Sequence, residues 1–368
     1  MDAYRCPGCF KMNKEGTEAC PCCGYIRDTP AKEPFQLKPG TVLNERYLVG
    51  RAVSSDSIFQ IYSAFDEIEN KKVAVWELLP LHVFKRGESG KPVFKDDAGK
   101  TEFQSACDGF LKGCLNIGKM DVIRGILTPL NGFMEGTAYI VTEAIAGDTL
   151  EYYLNSVGGK LGKKEVFAIM LPILKSVAEL HKNKIAHGNI GLSSMYFTEN
   201  GKIKLGGFLG DCVKSFDKTK SSSIPEDVRS AGMALFILLT GNTEALNKKD
   251  DSIEARAERL MSCGLNKNEA AAVTRAIECN KEGMYSALKL YSDIEKAEKD
   301  EREASEQGVK TIALKKKHGV SLLGIGISLV LMGLIIIGIL LFTGKAMTGD
   351  EQGTEIGYGA FEIIAEKD

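Results

Sequence analysis

Residues 180–210 read LHKNKIAHGNIGLSSMYFTENGKIKLGGFLG. The stretch follows a helical pattern that starts near Val166, with apolar residues at positions 169, 170, 173, 174, 177 and 180. A strand pattern, TAYIVTEAI, lies upstream around Tyr139. The stretch therefore belongs to a region, about Thr41 to Ala297, that mixes strand-like and helix-like patterns and predicts an α+β domain.

Six ordered segments of this region resemble the protein kinase superfamily, specifically the bacterial serine/threonine kinases. They are GRAVSSDSIFQIY from Gly50, KKVAVWELLP from Lys71, TAYIVTEAIAGDTL from Thr137, LHKNKIAHGNIGLSSMYF from Leu180, GKIKLGGFLG from Gly201 and DVRSAGMALFILLTG from Asp227. The order and spacing of all six, more than any one of them, carry the resemblance. It implies a two-lobed protein-kinase-like fold for residues 41–297.

The nucleotide-binding positions that the resemblance implies are all altered. The three glycines of the phosphate loop correspond to Ser54, Asp56 and Phe59, whose side chains take the space that phosphate needs. The phosphate-binding lysine corresponds to Trp76, and Tyr196 aligns with the floor of the adenine site. These five residues predict a degenerate nucleotide pocket that binds no Mg-ATP.

The catalytic positions implied by the resemblance have changed as well. The general-base aspartate corresponds to Asn189, and the loop lysine to Gly191. The two magnesium-binding residues correspond to Ser194 and Gly207, and the glutamate that pairs with the missing lysine falls near Gly113. Each loss removes transition-state stabilisation, so the sequence predicts a domain without phosphoryl-transfer activity.

The positions that pack the kinase fold are retained. They include His187, Phe208, Asp227 and Gly232, and Ile117 is expected to fill a packing position on the first helix. This contrast predicts a pseudokinase, in which the fold persists without the reaction.

Two lost groups could in principle be replaced by other residues. Lys71 or Lys72 could replace the missing lysine, and of the two Lys72 points to the same side of its strand as Trp76; Asp211 could stand in for the magnesium aspartate. Neither is the favoured interpretation. Only about twenty residues separate Gly207 from Asp227, which leaves little room for the family's activation segment.

Four cysteines near the N-terminus form two CPxC motifs, Cys6–Cys9 and Cys20–Cys23. Thiolates three residues apart in a tight turn converge on one ion, and two such turns give the tetrahedral sulfur coordination that suits Zn²⁺. Residues 1–28 therefore resemble a zinc ribbon with zinc as its cofactor, and Cys22 is expected to point away from the metal. A Pro/Lys-rich stretch, residues 29–40, is predicted to be a linker.

Residues 320–342 contain no charge and are long enough to span a bilayer. A charged juxtamembrane segment, residues 298–318, ends in Lys315–Lys317, whereas the tail, residues 343–368, is mostly acidic. The positive-inside rule predicts a single-pass cell-membrane protein with its N-terminal domains in the cytoplasm and a short tail outside. Gly324 and Ser328 would permit a homodimer through closely packed helices.

The composition limits the possible functions. Of 368 residues, 26% are charged and the net charge is −2, which argues against nucleic acid as a partner. We expect a membrane-anchored pseudokinase that binds a protein partner as a scaffold or allosteric regulator. The alternatives are an atypical active serine/threonine kinase, and a sensor in which the pocket or the tail binds a small ligand.

Overall fold

The computed structural model describes residues 3–55, 58–80, 85–87, 92–94, 96–120, 124–208, 222–241, 252–279 and 285–316. Asp56 and Asp211, the predicted membrane segment 320–342 and the tail 343–368 lie outside these residues. Within the described ranges, no helix combines the length and apolarity needed to cross a membrane.

The described elements follow one another in the order of a small all-β module, a sheet with one helix, and a mainly helical part. The strands are β1 (Ala3–Arg5), β2 (Met12–Lys14), β3 (Val42–Leu43), β4 (Tyr47–Ser55), β5 (Phe59–Asp66), β6 (Lys71–Leu78), β7 (Lys85–Arg86), β8 (Pro92–Val93), β9 (Asn131–Glu135), β10 (Thr137–Glu143), β11 (Ile145–Thr149), β12 (Met195–Thr198) and β13 (Ile203–Leu205). The helices are α1 (Asp97–Gly118), α2 (Leu150–Ser156), α3 (Lys163–Lys182), α4 (Ile224–Thr240), α5 (Ile253–Ser262), α6 (Lys267–Ile277) and α7 (Ala287–Lys316).

A six-stranded antiparallel sheet forms the N-terminal part of the kinase-like region, with strand order β3-β4-β5-β6-β10-β9. Side chains alternate between its faces. Ala74 and Trp76 of β6 join the large core that includes α1, whereas Val73 and Val75 join a second apolar cluster on the opposite face. Because both faces are covered, β5 and β6 are buried almost continuously.

Helix α1 packs one apolar face into the large core. It begins after Asp96, whose carboxylate accepts a hydrogen bond from the backbone N–H of Gly99 at 2.7 Å. Its buried residues recur at helical spacing and are Phe103, Ala106, Cys107, Phe110, Cys114 and Ile117. Burying such side chains contributes about 1.5–3 kcal/mol each for the larger ones, which anchors the helix beside the sheet.

The C-terminal part is mainly helical. The helix predicted from Val166 onwards is confirmed as α3, and all its predicted apolar positions are buried. Helix α4 is capped at its start by Ser223, whose hydroxyl accepts a hydrogen bond from the backbone N–H of Glu226. At its end it is capped by Gly241, which adopts the left-handed conformation at φ 68°. A three-stranded sheet, β11-β12-β13, adjoins these helices and carries the loop between α3 and β12.

The described chain divides into two compact units. Residues up to Glu295 belong to the first, and residues from Lys296 to the second. Helix α7 runs into the charged juxtamembrane segment and is helical to Lys316.

Candidate functional site

Trp76 is buried in the cleft between β6 and β12. Its indole Nε1 donates a hydrogen bond to Thr142 Oγ1 at 3.0 Å. The ring meets Phe59 edge-on at 5.8 Å between centroids and Tyr196 edge-on at 5.1 Å. Such perpendicular contacts are favourable for aromatic rings, and the single indole donor is satisfied. Three of the predicted pocket residues are therefore packed together as a core.

Two glycines complete the seat of the indole ring. A Cβ at Gly206 would lie 2.8 Å from Cη2 of Trp76, and a Cβ at Gly207 would lie 3.0 Å from Asn189 Nδ2. Gly207 also adopts a left-handed φ of 66°, a conformation that disfavours other residues. The structure thus explains why position 207, which corresponds to the magnesium aspartate, is a glycine. A side chain there would contact Asn189 closely and would strain the backbone.

The remaining catalytic positions are tied to each other by hydrogen bonds. Asn189 Nδ2 donates to the carbonyl of Gly207 at 3.0 Å. The hydroxyl of Ser194 lies 2.7 Å from the carbonyl of Asn189 and accepts from Gly191 N at 3.0 Å. Ser194 is buried. The structure thus brings together the four positions that the resemblance implies, Asn189, Gly191, Ser194 and Gly207. Their polar groups form hydrogen bonds with each other.

Strand β4 lies against β11. A Cβ at Gly147 would lie 3.4 Å from Cβ of Val53, so β4 rests directly on the segment that follows β10. Ser54, the next residue of β4, is half-buried. Lys72 Nζ forms an ion pair with Glu199 Oε1 at 2.8 Å, with both side chains about half exposed. Lys72 therefore engages a carboxylate across the cleft.

The packing residues below the cleft form one connected group. The carboxylate of Asp227 accepts from the backbone N–H groups of His187 at 2.6 Å and Gly188 at 2.9 Å. The His187 ring meets Phe208 edge-on at 5.7 Å. A Cβ at Gly113 would lie 2.9 Å from Cε1 of Phe208, so α1 approaches this ring at a glycine. Ile117 is buried in the same core.

His187 is fully buried, and burial lowers the pKa of its imidazole to about 4, although the nearby Asp227 carboxylate acts in the opposite direction. Within the described part of the chain, neither ring nitrogen has a hydrogen-bond partner. His187 is therefore a neutral packing residue in the native protein near neutral pH, as a structural role requires.

The four predicted cysteines form a second site, built from two equivalent turns. In the first turn, Phe10 N donates to the carbonyl of Cys6 at 2.8 Å, and in the second, Gly24 N donates to the carbonyl of Cys20 at 2.8 Å. Phe10 and Gly24, each following the second cysteine of its motif, adopt left-handed φ values of 63° and 68°. The repeated motif in the sequence thus gives a repeated backbone.

The sulfur positions fit a tetrahedral metal site. Sγ of Cys6 lies 3.7 Å from Sγ of Cys23, and Sγ of Cys9 lies 3.8 Å from Sγ of Cys20. Every pair of the four sulfurs lies within 4.8 Å. A regular tetrahedron with metal–sulfur bonds of about 2.3 Å places its sulfurs about 3.8 Å apart. The set can therefore hold a metal ion, and Cys22 does not belong to it.

The thiols of this site differ in acidity. Burial raises the pKa of Cys9 to about 11 and raises those of Cys6 and Cys23. A side-chain hydrogen bond with Asn13 lowers the pKa of Cys20 to about 6. A bound cation would have to displace the protons of the other three thiols, so the affinity of the site for the cation must decrease as the pH is lowered.

The segment expected only as a linker also packs on the sheet. Leu37 N donates to the hydroxyl of Tyr62 at 3.0 Å, and that hydroxyl donates to Glu77 Oε2 at 2.8 Å. Glu77 is buried, accepts from Tyr139 and pairs with the guanidinium of Arg86. Sequence reasoning missed this buried network, because its members are separated by up to about a hundred residues and follow no motif.

Comparisons with known proteins agree with this geometry. No protein-family model matches the chain. Over 169 residues, or 46% of its length, the chain is 26% identical to a probable serine/threonine-protein kinase of Clostridium acetobutylicum, and it spans only 23% of that kinase.

Among solved structures, the apo form of PpkA-294 aligns with a TM-score of 0.60 and 18% identity, covering 70% of this chain and 99% of that one. A complex of Rad53 residues 1–466 with AMP-PNP aligns with a TM-score of 0.49 and 14% identity, covering 68% of this chain and 65% of that one. The alignment with PpkA-294 and the match to the clostridial kinase show a protein-kinase-like fold, preceded by a cysteine cluster that fits a zinc ribbon.

Proposed function

We propose that the chain is a pseudokinase anchored in the cell membrane that acts on a protein partner as a scaffold or allosteric regulator. The observation that carries the proposal is the position of Trp76, whose indole fills the cleft between Phe59, Tyr196 and the backbone of Gly206. An ammonium group at this position would bind phosphate, whereas an indole offers one donor, already bonded to Thr142.

The chemistry of the catalytic loop supports the same proposal. An amide at Asn189 accepts no proton from a substrate hydroxyl near neutral pH, and its Nδ2 is bonded to Gly207. Ser194 and Gly207 present no carboxylate for Mg²⁺. Losing groups that act on the transferring phosphoryl costs about 10²–10³ in rate for each comparable donor, so their joint loss leaves no useful transfer.

Nucleotide binding provides the direct test. Trp76 is the single tryptophan of the chain, so its fluorescence reports on the cleft alone. We expect full-length protein in mild detergent to show neither a change in emission nor a rise in melting temperature with millimolar ATP and Mg²⁺. A ligand present at 100 times its dissociation constant stabilises the folded state by about 2.7 kcal/mol, so binding would be visible.

A variant makes this test sharper. Trp76→Lys restores the lysine alone, and we expect it to remain unable to bind Mg-ATP, because Phe59, Tyr196 and Gly207 keep their positions. A magnesium-dependent rise in melting temperature of the wild type would contradict the filled cleft and favour a nucleotide sensor. Transfer of labelled phosphate to a protein, abolished by Asn189→Ala, would favour an atypical kinase.

We propose zinc as the ion of the four-cysteine site. Four thiolates at tetrahedral spacing suit a borderline-soft divalent ion without geometric preferences of its own. When bound, the ion would supply the main stabilisation of residues 3–28, whose own core is small. We expect one zinc ion for each chain, held by Cys6, Cys9, Cys20 and Cys23.

A further inference from the structure

The cysteine module lies directly on the kinase-like sheet at one glycine. A Cβ at Gly50 of β4 would lie 2.6 Å from the carbonyl oxygen of Pro7 and 2.7 Å from Cζ of Phe10. Both residues belong to the first CPxC turn. Only a residue without a side chain permits this approach, so Gly50 is a contact point between the metal module and the sheet.

Aromatic and charged contacts surround this point. The rings of Phe10 and Phe65 lie 5.7 Å apart, and the guanidinium of Arg5 lies 3.7 Å above the Phe65 ring. Arg5 Nε also bonds Glu67 Oε1 at 3.0 Å. A cation held over a ring, with its charge paired, is a stabilising arrangement. The module is thus joined to β5 as well as to β4.

The second turn of the module contacts the same hairpin. Arg51 lies with its guanidinium 5.3 Å from the ring of Tyr25, the residue that follows the second turn. Tyr25 is buried, and a Cβ at Gly8 would lie 2.7 Å from its Cβ. Both cysteine turns therefore meet around Tyr25, and both touch the start of β4.

The position of the Phe10 side chain, which contacts Phe65 and Gly50, depends on the geometry of the metal site. Phe10 follows Cys9 and is held in the left-handed conformation at φ 63° by its hydrogen bond to the Cys6 carbonyl. This conformation is unfavourable for phenylalanine and persists only where the surroundings enforce it. Release of the four sulfurs from each other would free Phe10 to leave Phe65 and Gly50.

We propose that metal occupancy of the four-cysteine site holds the β4–β5 hairpin in place, and with it the contact of Val53 with Gly147 of β11. The proposal rests on the proposed metal site. Gly50 and Val53 both lie on β4, whose pairing with β5 is bulged on either side of Ala52, and Val53 lies against Gly147 of β11. The metal module is therefore a device through which metal supply controls the conformation of the kinase-like region.

Hydrogen exchange of the full-length protein tests this coupling. Removal of the metal with a chelator is expected to accelerate amide exchange across residues 47–66 about tenfold, with α4 and α6 unchanged. The emission of Trp76, which contacts Phe59 of β5, is expected to shift to longer wavelength. Unchanged exchange in residues 47–66 after complete metal removal would overturn the proposal, as would an equal acceleration in α4 and α6.

A substitution at the contact separates this proposal from metal binding itself. Gly50→Ala is made and compared in a Ser63→Ala parent, because a Cβ at position 50 would also lie 2.7 Å from Ser63 Oγ of β5; the new methyl group then meets Pro7 and Phe10 while all four cysteines stay intact. We expect this variant to keep its metal and still show faster exchange in residues 47–66. The matched control is Gly162→Ala, since a Cβ there would meet only the end of Glu165 at 3.3 Å. If Gly50→Ala keeps both its metal and the exchange of its parent, the coupling is refuted even though the metal site stands.

Discussion

At the scale of single residues, Trp76 serves the fold as an internal substitute for a ligand. Its ring contacts Phe59 from the sheet and Tyr196 from the C-terminal part, and it lies on Gly206. A nucleotide joins the same two parts of a kinase from outside. In the proposed pseudokinase, the side chain of Trp76 makes these contacts without any small molecule.

This view predicts a large cost for removing the indole. Trp76→Ala should lower the free energy of unfolding by about 3–5 kcal/mol, because a well-packed ring is replaced by a void. Free indole, added at millimolar concentration, should restore part of the melting temperature by filling that void. The matched control is Tyr152→Ala, an aromatic residue that is 62% exposed. If the two variants had the same free energy of unfolding, the indole of Trp76 would not contribute to the stability of the fold.

His187 predicts a dependence of stability on pH. Its native pKa of about 4 lies below the ordinary value of 6.5, so the unfolded chain takes up the proton first as pH falls. The free energy of unfolding is unaffected above pH 6.5 and decreases below it, until His187 also protonates in the native state near pH 4. The slope is about 1.4 kcal/mol for each pH unit.

The variant His187→Leu isolates this contribution. Leucine keeps an apolar side chain beside Phe208 and cannot take up a proton. Urea unfolding at about pH 7 and about pH 5 should show that the wild type loses about 2 kcal/mol more than the variant over this interval. Parallel losses in the two proteins would assign the acid sensitivity to other groups.

At the scale of elements, the two cysteine turns predict which sulfurs bind metal. Mass spectrometry under native conditions should show one zinc ion for each wild-type chain, and the same for Cys22→Ser, because Cys22 is not one of the four converging cysteines. Cys20→Ser should lose the ion, since the thiol that it removes lies within 4.8 Å of the other three ligands. Loss of zinc from Cys22→Ser would show that the ligand set is wrong.

The elements also show what the sequence could and could not predict. The helix α3, the strand β10 and the four converging sulfurs follow from local spacing, and local spacing is visible in one sequence. The seat of Trp76 on Gly206 and the contact of Gly50 with Pro7 are different. These contacts join residues far apart in the chain. In the sequence, a glycine that leaves room for a distant aromatic ring cannot be distinguished from a glycine in a turn.

At the scale of the whole molecule, three parts act on one region. Residues 29–40 contact one face of the six-stranded sheet at Tyr62, whereas the metal module contacts Phe65 on the other face, where α1 and Trp76 also pack. Under the proposed function the domain need not open for a nucleotide, and both faces of its sheet can stay covered. We expect a partner-binding surface held in this way to be preorganised, as suits a scaffold.

Membrane anchoring predicts a defined topology for the whole molecule. Helix α7 leads towards Lys315–Lys317, and the apolar stretch 320–342 follows at once. Lysines beside a membrane-spanning segment favour the cytoplasmic side, so the tail from position 343 should lie outside. Protease added to intact cells should remove only a tag placed at the C-terminus, and protease added to permeabilised cells should also digest the kinase-like region.

The opposite result has an equally clear meaning. Digestion of the kinase-like region in intact cells would show that the orientation is reversed, and release of the chain from membranes by alkaline carbonate would show that it is not anchored at all. Replacing Lys315–Lys317 with glutamate should bring part of the population into the reversed orientation, because the charge difference across the segment is then lost. In that reversed fraction the metal module would face the outside, where its four thiols would no longer be kept reduced.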